Sequence, residues 1–151
     1  MVSAPAAPLL PPLLARLERL AAEQLRAYNA ADLDAFCACY APDVEVLDEG
    51  GARVLVGIGA FRERYRARFE GPPFGASVVS RALALGAPGC APGEGRCVDE
   101  ELWWREGAGG REGGREEGRV WACYFLGARA GEEEGALIGR VRFYVEGAPG
   151  G

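Results

Sequence analysis

The chain contains no histidine. A Ser-His-Asp triad, a Cys-His pair and a histidine-ligated zinc are therefore excluded, and proton chemistry must come from carboxylates, tyrosines or cysteines. Three places put polar side chains where apolar ones are expected. Gln24 lies on the apolar stripe of a helical segment, one turn from Leu20 and from Tyr28. A buried amide needs partners. It either bonds a nearby backbone carbonyl or points as a donor into an interior site. Asp48 shares strand parity with Val44 and Val46. On the core face, desolvation would raise its pKa and suit it to general-base work. At the head of the Asp-Glu-Gly-Gly turn it would instead be a turn aspartate. Asp99 and Glu101 sit two apart in a strand-like run, on the parity of Cys97 and Trp103. The opposite parity carries Val98, Glu100, Leu102 and Trp104, so both faces bear acid and alternation alone does not choose between them. Trp121, Cys123 and Phe125 share one face of a later strand and are expected to form core or pocket wall.

These residues need elements to hold them. Leu13, Leu14, Leu17, Leu20, Ala21, Leu25 and Tyr28 recur at helical spacing and predict a helix over 13–29, opened by Pro12. Asp32 caps a short second helix over 32–40, which Pro42 stops. Strands at 44–48 and 53–56 flank the turn, and a third helix runs over 57–70 with Ile58, Phe61, Tyr65 and Phe69 on one stripe. Strands at about 76–85, 96–105, 118–127 and 136–146 follow, joined by glycine-rich loops. Residues 1–12 are expected to be a disordered Ala/Pro-rich leader, 13–147 a single domain and 148–151 a flexible tail. Helices followed by antiparallel strands give an α+β order, and a curved sheet wrapped on helices makes a cone suited to a small molecule.

With 22 acidic against 17 basic residues the net charge is -5, which argues against a nucleic-acid partner. No apolar run is long enough for a membrane span. Five cysteines with no CxxC spacing fit reduced thiols in a cytoplasmic setting better than disulfides or a metal site. The glycine-rich REGGREEG stretch lacks the Lys-Ser/Thr pair and following helix of a phosphate loop, so no cofactor and no metal are expected.

The segment AYNAADLDAFCACYAPDVEVLD and the later VGIGAFRERY resemble the nuclear transport factor 2-like superfamily, in its SnoaL-like and steroid delta-isomerase-like branch. The resemblance implies a three-helix α+β cone, and the match is clearest over residues 24–66. It places Asp48 on the catalytic aspartate of ketosteroid isomerases, and Tyr40 and Tyr65 where tyrosines support their oxyanion network. Gln24 stands where those enzymes carry the oxyanion tyrosine, and Cys123 falls near their protonated aspartic acid. Similarity to limonene epoxide hydrolase-like enzymes implies that Cys97, Asp99, Glu101 and Trp103 face the pocket. Their Asp-Arg-Asp set is broken here, because Glu101 and Trp103 occupy the last two positions.

Two functions follow from the resemblance, because one fold hosts many activities. One is an isomerase or lyase that takes a proton next to the carbonyl of a hydrophobic small molecule, with Asp48 as base and Gln24, Tyr40, Tyr65, Asp99, Glu101, Trp103, Trp121 and Cys123 around the ligand. The other is a non-catalytic ligand-binding or dimerisation module. Either is expected as a homodimer through the outer sheet face, using some of Val98, Leu102, Trp104, Arg140, Arg142 and Tyr144.

Overall fold

The computed structural model describes residues 10–107 and 114–145. Of the leader expected over 1–12, residues 1–9 lie outside the described residues, as do the tail at 148–151 and the centre of the glycine-rich loop at 108–113, while Pro12 already belongs to the first helix. The first helix, α1, spans Pro12–Asn29 and buries Leu13, Leu17, Leu20, Ala21, Gln24 and Ala27. These positions recur every three or four residues, so one stripe faces the sheet. Proline at N1 costs nothing there, since the missing N–H would have no intrahelical acceptor.

The second helix, α2, is shorter than the expected 32–40: it covers Leu33–Cys37, with the Asp32 carboxylate accepting the Ala35 N–H at 3.1 Å. Tyr40 is not helical but opens strand β1, Tyr40–Leu47. Strand β2 is Arg53–Val56, and helix α3 is Ile58–Phe69. Then come β3 (Phe74–Leu85), β4 (Glu94–Glu106), β5 (Arg115–Gly127) and β6 (Ile138–Tyr144). The β4–β5 hairpin is longer than alternation implied. Arg105 pairs with Glu116 and Glu106 with Arg115 across it, so 115–117 are strand rather than loop.

The six strands form one curved sheet in the order β2-β1-β6-β5-β4-β3. Every pairing is antiparallel except β1 with β6. The helices cover one face, as the element order predicted, and the core gathers Leu17, Leu20, Phe36, Val44, Phe61, Leu126, Ile138 and Val141 between the layers. Asn29 joins the end of α1 to the start of β3. Its Nδ2 donates to the Ala76 carbonyl at 2.9 Å, and its Oδ1 accepts the Ala76 N–H at 2.8 Å.

Two glycines make room for tryptophans. Gly118 pairs with Trp103 and Gly75 with Trp104. A Cβ on Gly118 would stand 2.6 Å from Cε2 of Trp103, and one on Gly75 would stand 2.6 Å from Nε1 of Trp104. Neither approach is sterically allowed, and overpacking of this kind costs about 1–3 kcal/mol. Gly118→Ala is expected to lower the melting temperature by several degrees and to change the tryptophan emission, because the Trp103 ring must move. A parent-like melt and spectrum would show that the ring is not held against the glycine.

Candidate functional site

Between α1, α3 and the concave face of β4 and β5 lies a cavity of about 280 Å³. Its inner end is polar and its walls are aromatic. Gln24, Tyr40, Glu101 and Tyr124 are all buried, with exposures of 7% or less, and all four line it. The Tyr40 hydroxyl donates to Gln24 Oε1 at 2.8 Å. Gln24 Nε2 donates to the Tyr124 hydroxyl at 3.1 Å and to the Ala21 carbonyl at 3.1 Å. The Tyr124 hydroxyl is in turn hydrogen-bonded to Glu101. A continuous chain thus runs Tyr40–Gln24–Tyr124–Glu101, and each polar group that left the water has a partner. The apolar wall is built by Tyr28, Phe36 and Tyr65, with Trp103 and Phe143 on the sheet side. Phe36 and Tyr65 hold their ring centroids 4.7 Å apart, and Tyr40 stacks at a tilt on Phe61 at 4.4 Å. Tyr65 also reaches the cavity.

The electrostatics centre on Glu101. Desolvation by burial, and secondly the negative charge of Asp99, push its carboxyl up to about 8, against the smaller opposing pull of Arg81 and the Tyr124 hydrogen bond. Burial likewise holds the phenols of Tyr40, Tyr65 and Tyr124 well above their ordinary value, so they stay neutral donors. Asp99 is fully buried beneath Glu101 and clasped by Arg81, with Nε to Oδ1 at 2.7 Å and Nη2 to Oδ2 at 2.8 Å. The Cys97 thiol donates to the same Oδ1 at 3.4 Å. A carboxyl that exchanges its proton near pH 8 in an aromatic cavity can serve as an acid or a base at neutral pH.

The structure sorts the sequence-derived residues as follows. Gln24, Tyr40, Tyr65, Glu101 and Trp103 meet at the cavity. Asp99 shares their strand face but lies behind the wall, as the partner of Arg81. Asp48 is a correction. The register of β1 against β2 slips between Val46 and Leu47, and the inward parity of Val44 and Val46 ends there. Asp48 is exposed, and its Oδ1 accepts the Ala52 N–H at 2.9 Å while its own N–H donates to the Ala52 carbonyl at 2.9 Å. It stabilises the turn and does not line the cavity.

Trp121 and Cys123 are corrected too. On β5 the residues facing the helices are Val120, Ala122, Tyr124 and Leu126, so Trp121, Cys123 and Phe125 point to the other side of the sheet. Sequence reasoning took the aromatic-rich parity as the wall and thereby missed Tyr124. The signal was present in the run Ala122, Tyr124, Leu126, whose neighbours alternate equally well. Arg64, Arg68 and Arg105 at the mouth were also missed, because arginines outside an apolar stripe read as solvated surface.

The cone has relatives. Residues 21–131 match the SnoaL-like domain. The chain belongs to that family. No curated protein matches the chain significantly. Among solved structures, a nuclear transport factor 2-like superfamily protein from Salmonella enterica aligns with a TM-score of 0.68 at 10% identity, covering 91% of this chain and 94% of that one. A ketosteroid isomerase-like protein from Erwinia carotovora aligns at 0.63 and 17% identity, covering 89% and 97%. The CaMKII hub of S. rosetta aligns at 0.66 and 14% identity, covering 93% and 98%. At such identities the likeness establishes the fold. This SnoaL-like chain is thus a pocket protein of the nuclear transport factor 2-like superfamily, and what its pocket does is read from its own residues. None of its described helices is long and apolar enough to cross a membrane.

Proposed function

We propose that this SnoaL-like protein is an isomerase or lyase acting next to the carbonyl of a hydrophobic compound, with Glu101 rather than Asp48 as the proton carrier. The observation that carries this reading is the raised, buried Glu101 carboxyl at the inner end of an aromatic cavity. In its ionised form Glu101 takes a proton from the carbon beside the carbonyl. The C–H electron pair moves into the enolate, whose negative oxygen is held by the neutral Tyr65 hydroxyl. In an isomerase the protonated Glu101 then returns the proton to the same carbon or to a conjugated one. In a lyase the enolate electron pair expels a group from the β-carbon and Glu101 protonates that leaving group, so no other reactant is consumed in either case. Gln24 and Tyr40 hold Tyr124, and Tyr124 holds Glu101, which makes them positioning residues.

The test is hydrogen–deuterium exchange at the α-carbon of bicyclic ketones such as β-tetralone, followed by NMR in D2O. Exchange above the buffer rate is the expected result. No acceleration with any ketone of a panel would sink the enzymatic reading and leave the ligand-binding module. That second reading draws on the completeness of the Tyr40–Gln24–Tyr124–Glu101 network, which also suits a purely structural role.

A homodimer through the outer sheet face belongs to the same proposal, and the fold shared with a CaMKII hub supports oligomerisation. Trp121 stands on that face between Glu100 on β4 and Tyr144 on β6, with Arg140 over Phe125 and Arg142 over Tyr144 nearby. Leu102 is 41% exposed beside them, an apolar centre with a charged rim. Light scattering should give the mass of two chains, and Trp121→Asp should give the mass of one with an unchanged fold. A monomeric parent at high concentration would refute the dimer. The five free cysteines support a reducing, cytoplasmic setting.

A further inference from the structure

Helix α3 carries four arginines, in two pairs one turn apart. Arg62 and Arg66 point away from the cavity, and each has a carboxylate: Asp34 at 2.7 Å and Glu63 at 3.3 Å. Arg64 and Arg68 line the cavity, and among the described residues neither has an ion-pair partner. Arg68 Nη1 donates to the neutral Tyr28 hydroxyl at 3.1 Å. Arg105 completes the mouth from the opposite strand, already paired with Glu116 at 2.6 Å. The same three arginines continue into an outer groove shared with Gly71, Pro72 and Glu106. The cavity therefore runs from an aromatic-walled interior that ends at Glu101 to two guanidinium groups with no ion-pair partner among the described residues. An acidic side chain three or four residues away can pair with a helix-surface cation, as Glu63 does with Arg66.

We infer that the ligand is an anionic amphiphile: a ring system with its reacting carbonyl beside Glu101 and a carboxylate at the mouth, held by Arg64 and Arg68. This rests on the proposed reading of the cavity as the ligand site and narrows the substrate to a hydrophobic keto acid. Guanidinium groups pair with carboxylates in a planar, two-bonded geometry that an ammonium cannot reproduce. A single negative charge fits better than a phosphate dianion, since Glu106 and Glu116 border the same groove. The aromatic wall covers the ring system, while the cations sit where solvent still reaches and do not draw the carboxylate towards Glu101.

Calorimetric titration with 2-naphthylacetate and its neutral analogue 2-(2-naphthyl)ethanol separates the two claims. At low ionic strength the acid should bind at least about ten-fold more tightly than the alcohol, a difference of about 1.4 kcal/mol. In the double variant Arg64→Gln/Arg68→Gln the acid should fall to the affinity of the alcohol, whose own binding stays unchanged. Both replaced side chains stand at the cavity mouth, and a melting curve matching the parent confirms that the fold survives; Arg64→Gln alone, at an exposed position, should remove part of the gap. Raising the salt should narrow the gap for the parent only. Equal affinities in the parent, or a gap that survives the double variant, overturn the anion claim and leave the proton-transfer reading standing. If neither compound binds, the cavity is not the ligand site and both readings fall.

Discussion

Glu101→Gln is expected to lower α-proton exchange by roughly 10²–10⁴-fold, the usual contribution of a positioned acid–base group, while ligand affinity stays close to the parent's. The amide keeps the shape and can still accept from Tyr124, but it cannot carry a proton. The pH dependence should change with it. Glu101 titrates near 8, so at pH 7 only about a tenth is ionised, and parent exchange should climb through pH 8 and then level off. The residual rate of the variant should be flat over the same range.

Stability carries the same signature. The folded chain holds the Glu101 proton up to about pH 8, whereas an unperturbed glutamate releases it near 4.5. Between those values the folded state binds the extra proton, so folding stability declines as pH rises, by at most about 1.4 kcal/mol per pH unit. Below 4.5 both states are protonated and above 8 both are ionised, so the contribution is then constant. Thermal melts from pH 4 to 9 should show the parent losing ground to Glu101→Gln as pH rises. Parallel curves would mean that Glu101 is not desolvated, and an undiminished exchange rate would remove it from the chemistry.

Arg81→Met is expected to destabilise the fold by about 3–5 kcal/mol, the range for leaving one member of a buried ion pair without its partner. Asp99 has no exposed surface, and its two oxygens meet Arg81 at 2.7 and 2.8 Å. The pair also raises the Arg81 guanidinium well above its ordinary value, chiefly through the hydrogen bond to Asp99. Without Arg81 the carboxylate retains, among the described residues, the Cys97 thiol, a weak donor. The double variant Arg81→Met/Asp99→Leu should recover most of the loss, because an apolar pair of similar volume carries no stranded charge. Urea denaturation of the three variants measures this, and a near-neutral Arg81→Met would show that water reaches Asp99.

A second readout links this pair to the site. Asp99 raises the Glu101 pKa and Arg81 lowers it. Asp99→Asn should therefore move the exchange midpoint down in pH, and Arg81→Met should move it up. A purely structural pair would shift neither.

Much of this architecture was legible from local pattern. The stripe from Leu13 to Tyr28 could be buried only as a helix, and α1 follows it closely. Asp32 capped α2 as its side-chain chemistry requires, and Gln24 stood out because an amide on an apolar stripe must find partners. The Tyr-Ala-Pro-Asp-Val and Gly-Ile-Gly-Ala-Phe-Arg motifs pointed to the right superfamily. Local pattern stopped where a face had to be chosen. Alternation is blind to which side of a strand meets the helices, and β4 has acids on both. The choice came from across the sheet: Arg81 on β3 lies opposite Asp99, and Val120 on β5 lies opposite Glu101.

A bulge between Val78 and Ser80 makes that possible. Simple alternation from Ala76 and Val78 would bring Ser80 inward, and the extra residue Val79 brings Arg81 there instead. The register slip after Val46 likewise sent Asp48 to the turn, away from the cavity that Glu101 lines. The residues, their charges and their helical stripes were determined by sequence alone. Which carboxylate lost its water, and so acquired a pKa suited to chemistry, was decided by strand register, because desolvation depends on what packs over a side chain and not on what stands beside it in the chain.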